Sequence, residues 1–174
     1  MFFIPGQLIS LLTFPGVIVH EWAHKKFCDW FGVKVHEVAY FKFWQKTAGY
    51  VIHETPTTFK QTFWVSVGPL IINSLGCVIL SAIASQTIPE SFLNYFILWL
   101  ALSIGAHSFP SDHDAKNILE TSKHHIKNEG SAIHYLSYPF FILIWIANKL
   151  SFFWFDFIYA FLLLQIGGGI SPIF

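Results

Sequence analysis

Apolar residues in this chain come in long runs separated by short wet stretches. The runs cover about 2–24, 60–85, 92–109, 132–149 and 152–168. A membrane-crossing helix needs roughly 20 mostly apolar residues, and the first three runs approach or reach that length. Pro15 and Gly16 interrupt the first run, which predicts a kink whose freed carbonyls neighbouring helices must satisfy. Gly32 reads as a helix stop after the wet residues Lys25, Lys26 and Asp29. Between residues 33 and 54 the period changes. VKVHEV and YFKFW alternate as half-buried strands do, and AGYVIHE is a third short β-prone run. The pattern predicts an all-α membrane protein in a single domain, 1–174. It is a polytopic bundle of four to five transmembrane helices with a small membrane-associated β element after the first helix.

Composition strengthens the membrane reading. The chain is 54% hydrophobic and 19% aromatic, only 11% charged, with a mean hydropathy of +0.54, whereas soluble domains carry about 25% charged residues. Ten lysines balance ten acids, so no basic excess points to nucleic acid. Cys28 and Cys77 are too few and too scattered for a disulfide framework or a CxxC zinc site, and read as reduced apolar fillers. The first run has no basic leader and no small-residue cleavage pattern, so it reads as a retained span. Lysines 25, 26, 34, 42, 46 and 60 lie in one wet region and lysines 116, 123 and 127 in another. Both regions are therefore expected on the cytoplasmic side of a plasma membrane. That sets the end of the first helix, and any site there, toward the cytoplasm.

The chemistry begins at His20-Glu21-Trp22-Ala23-His24, an HExxH motif. On a helix the two histidines share a face and can present their imidazoles to one zinc ion, with Glu21 beside it as general base. A hydrolytic zinc takes three protein ligands. Candidates for the third near the same face are His36, Glu37, His53, Glu54, His107, Asp112, His113, Asp114, His124 and His125. Asp114 is favoured because DAKNIL reads as a helix start, a position suited to a carboxylate; Asp112 and His113 remain alternatives. Asn73, in the second long run, is expected either to bond between helices or to touch substrate. His107 lies in the third run, where an ionisable group is a candidate to support the metal site.

These pieces resemble the site-2 protease group of intramembrane zinc metalloproteases. The matching parts are HEWAH in an early membrane helix, the β region 33–54, Gly68-Pro69 with Asn73, and Phe109-Pro110-Ser111-Asp112-His113-Asp114. The match looks like a small divergent branch, similar to bacterial zincin-like membrane proteins. No Asp-Gly pair follows Pro110, and Asn73 falls one residue later than in the family pattern. The resemblance implies zinc held by His20, His24 and Asp114, with Glu21 as the catalytic base. It also implies hydrolysis of peptide bonds in membrane-protein or peptide substrates within the lipid bilayer, the strand region 48–54 holding the extended substrate. The alternative is a zinc-binding membrane adaptor or pseudoprotease without activity.

Overall fold

A computed structural model describes residues 6–45, 47–110, 120, 123, 124, 127, 132–150 and 154–170. The described residues are mostly helical, with a two-stranded sheet. In chain order the elements are α1 (Gly6–Leu12), α2 (Phe14–Trp30), β1 (Val35–Ala39), β2 (Tyr50–His53), α3 (Phe59–Ala84), α4 (Phe92–Gly105), α5 (Ala132–Leu150) and α6 (Phe155–Ile166).

The first apolar run is not one helix. It breaks at Thr13, which becomes the N-cap of α2, because Pro15 in the next turn has no N–H to continue the α1 ladder. The Leu12 carbonyl, whose helical donor Gly16 N–H turns instead to Thr13, accepts from the Trp99 indole at 3.0 Å, so α4 satisfies a group that the break leaves open. Helix α2 also runs past the expected end at His24, to Trp30. One face of the extra turns is buried through Phe27 and Cys28, packed with Val33 and Val65. The other is wet, and there Lys25 bonds Asp29 one turn on at 2.5 Å. That bond raises the Lys25 pKa. Gly32 stops the helix as expected. At φ +68° it lets Val33 N–H reach back to the Cys28 carbonyl at 2.8 Å and its own N–H point to Asp29, a Schellman closure.

The β element is an antiparallel hairpin with Val38 opposite Val51 and a bulge between Val35 and Glu37. The expected strand over YFKFW is absent. Those residues form the connection, which turns at Trp44 (φ 53°), while the Phe41 ring packs on Phe14 with centroids 5.8 Å apart. Phe43 and Trp44 are exposed, so the alternation there marks neither strand pairing nor a buried face.

Helix α3 begins with a capping box, Thr58 with Gln61, and forms the centre of the bundle, packing on α2, α4 and α6. It is the one described helix long and apolar enough to cross a membrane. Helix α4 has 14 residues and α6 has 12, about 21 and 18 Å at 1.5 Å per residue, short of a ~30 Å hydrocarbon core. Helix α4 stops at Gly105, so His107 lies beyond its end and not within a helix that continues to residue 109. Residues 106–110 remain close to the bundle; Ser108 and Pro110 are fully buried.

Two glycines set how closely the helices approach. A Cβ on Gly16 would lie 1.9 Å from the Ser103 carbonyl oxygen of α4, and one on Gly68 would lie 2.3 Å from the Phe27 ring of α2. Helices α2, α3 and α4 therefore meet backbone to backbone or backbone to ring, around the segment that carries the histidines.

Candidate metal centre

His20, Glu21 and His24 lie in the middle turns of α2, and both histidines are buried, 7% and 5% exposed. Their rings stand edge to face with centroids 4.8 Å apart, the proximity that one helical turn of spacing imposes. Each ring is held by a carbonyl from another element. His20 Nδ1 lies 2.7 Å from the His107 carbonyl oxygen, and His24 Nδ1 lies 3.0 Å from that of Val65 in α3. A carbonyl can only accept, so each Nδ1 carries the proton. That leaves Nε2 of both rings as the nitrogen with a lone pair, the tautomer a metal ligand needs.

The His107 carbonyl is shared. Asn73 Nδ2 donates to it at 2.8 Å and also approaches the carbonyls of Ile104 (3.2 Å) and Gly16 (3.4 Å). Asn73 has no exposed surface, and its amide hydrogens are directed at α2 and at the end of α4. Its geometry is that of a clamp which orders the carbonyl beneath His20. The His107 imidazole has another task. Thr13 Oγ1 donates to the Ile9 carbonyl at 2.7 Å, so at 2.8 Å from His107 Nε2 it must accept. His107 thereby ties the end of α4 to the α1–α2 break through its ring, and supports His20 through its backbone.

Glu21 sits on the side of α2 that faces the hairpin. A Cβ on Gly49, just before β2, would lie 2.7 Å from Glu21 Cγ and about 3 Å from the Ala39 and Tyr40 carbonyl oxygens (3.1 and 3.0 Å). A residue with a side chain does not fit there without moving the glutamate.

Of the other expected candidates His124 is exposed, and the rest fall into two groups. Glu37 accepts from the Tyr50 hydroxyl, which Lys42 contacts at 2.6 Å; His36 and Lys34 each lie 3.8 Å from Glu54; and His53 Nδ1 bonds the Glu54 carbonyl at 2.7 Å. These groups serve the hairpin. Asp112, His113, Asp114 and His125 lie outside the described residues. Among the described residues no cluster of three potential metal ligands is present. The donor chemistry of His20 and His24 nevertheless fits two of the positions of a zinc site: paired imidazoles on one helix face, each with Nδ1 committed to a buried carbonyl.

The carbonyls of Val65 and His107 and the contact of Gly49 with Glu21 were not anticipated from the sequence. One signal for the first was present, since Pro69 stands four residues after Val65. Comparison of the chain with protein-family models, curated proteins and solved structures returns no match.

Proposed function

We propose that this chain is an intramembrane zinc metalloprotease that hydrolyses peptide bonds of membrane-protein substrates. The observation that carries the reading is the paired orientation of His20 and His24, both with Nδ1–H donated to backbone carbonyls of other segments and a glutamate between them in sequence. Binding metal needs only the imidazoles; the intervening Glu21 is what a hydrolase adds.

His20 and His24 would hold the ion, with Asp114 as third ligand. Residue 114 follows His107 by seven positions, within the covalent reach of a chain that advances at most about 3.5 Å per residue. Zinc held there would supply Lewis acidity and would acidify a bound water. Glu21 takes the proton from the attacking water and delivers it to the leaving amine, a role worth about 10²–10⁴ in rate. Asn73 and His107 hold His20 in register. The hairpin beside Glu21 supplies backbone that an extended substrate can pair with.

The same reading makes the bundle polytopic, with four to five spans. In its support, Leu75, Ile79 and Ile83 form an exposed apolar stripe along α3, and Ile158, Phe161, Leu162 and Ile166 another on α6; such outward faces suit lipid. Where α4 falls short of the membrane thickness, segment 106–110, with Ala106, Ser108 and Pro110 buried, continues it, as irregular backbone in a bilayer must be covered by protein.

The test is Glu21→Gln in the full chain, reconstituted in lipid with a panel of single-span peptides. Zinc content should equal that of the unaltered protein while cleavage disappears. Equal cleavage by both proteins sinks the enzymatic role of Glu21, and zinc binding with no cleavage by either supports a non-catalytic adaptor instead.

A further inference from the structure

We propose that Pro69 is a positioning residue for the metal centre: lacking an N–H, it leaves the Val65 carbonyl to receive His24 Nδ1–H and thereby fixes Nε2 as the ligating nitrogen. The inference rests on the reading of His20 and His24 as metal ligands.

In an α-helix the carbonyl of residue i accepts from the N–H of residue i+4. For Val65 that partner is residue 69, a proline inside α3, so the regular bond cannot form. A proline within a helix weakens it, and a buried carbonyl without a donor adds to that cost. Val65 is 3% exposed, so water is a poor substitute. His24 Nδ1, at 3.0 Å, supplies the donor. The defect in one helix is thus met by the side chain that most needs a fixed acceptor.

The neighbouring glycine makes the contact possible. Any Cβ at Gly68 would run into the Phe27 ring at 2.3 Å, and Phe27 lies one turn after His24 on α2. Gly68 lets α2 close on α3, and Pro69 provides the acceptor once it has closed. His20 follows the same logic at the other end of the site. Its acceptor, the His107 carbonyl, lies past the last turn of α4, and the residue three further on is Pro110, which has no N–H to offer it.

The experiment uses the full chain in detergent micelles with ¹⁵N-labelled histidine. In the metal-free protein, two-bond ¹H–¹⁵N correlations should report the Nδ1–H tautomer for both His20 and His24. Pro69→Ala restores an N–H that competes for the Val65 carbonyl. The Nε2–H tautomer should then appear at His24 while His20 stays unchanged, and zinc affinity should fall by about 10–100-fold, the usual effect of losing the group that orients a metal-binding histidine. Helicity and melting temperature should not fall, because alanine favours the helix; a merely structural proline would not move one histidine tautomer alone. An unchanged His24 tautomer in Pro69→Ala overturns the proposal. So does an Nε2–H tautomer at His24 in the unaltered protein, a measurement that stands even if the variant does not fold. If the unaltered protein binds no zinc, the metal reading fails, and the tautomer comparison still decides the part played by Pro69.

Discussion

Gly49 and Glu21 are in contact across the boundary between the hairpin and α2, so closely that a methyl group on Gly49 would stand 2.7 Å from Glu21 Cγ. The carbonyl oxygens of Ala39 and Tyr40 close the other sides of the same space, so the methyl has nowhere else to go. Gly49→Ala should therefore displace the glutamate and leave the histidines alone. We expect zinc content to be retained and turnover to fall by about 10–100-fold, the scale on which small misplacement of a catalytic group acts. Parallel zinc analysis and peptide cleavage check this, and zinc loss matching the activity loss would contradict it.

Asn73→Ala removes the donor that approaches the carbonyls of Gly16, Ile104 and His107. Losing such a buried bond costs about 1–3 kcal/mol. Asn73→Asp, nearly the same size, should cost more, because it turns a donor into a carboxylate facing carbonyl oxygens. Chemical denaturation in micelles should rank stability as unaltered protein, then Ala, then Asp. An aspartate variant as stable as the unaltered protein would show that the clamp is not what Asn73 provides.

Two glycines of α1 and α2 make a paired test of helix approach. Gly16→Ala drives a methyl into the Ser103 carbonyl oxygen at 1.9 Å, whereas nothing lies within 4 Å of the Cβ position at Gly6. The first substitution should destabilise by about 3 kcal/mol or more and lower zinc affinity with it, since α2 and α4 must separate and the His20–His107 bond lies between them. Gly6→Ala should be neutral or slightly stabilising in the same melting assay.

How far could the site be read from the chain alone? That His20 and His24 share a face needed only the helical period, and the break near Pro15 and the stop at Gly32 followed from the chemistry of proline and glycine. His107 shows where such reading stops. A sequence displays side chains, and its ring drew attention as an ionisable group in an apolar run, but the atom that serves His20 is its backbone oxygen. Val65 is an unremarked valine until its carbonyl is seen to face His24. YFKFW misled because its alternation is not matched by burial: Phe41 packs across on Phe14, while Phe43 and Trp44 are exposed. Cross-helix contacts of this kind carry no periodic signature.

The third ligand can be assigned by metal content. Asp114→Ala should lose zinc during dialysis against a weak chelator, and Asp112→Ala should keep it. Full zinc in the Asp114 variant would transfer the role to Asp112 or His113.

The oxygen of His107 receives His20 of α2 and Asn73 of α3 at the end of α4. Three helices thus converge on one atom that also sets the geometry of a proposed ligand, and on that proposal holding the ion would be a form of cross-linking without covalent bonds. Zinc should then act as a stabiliser of the whole bundle. At a hundred times its dissociation constant it adds about 2.7 kcal/mol to the folded state. The melting temperature should climb with zinc concentration and drop on chelation, and hydrogen exchange in α3 and α4 should slow along with that in α2.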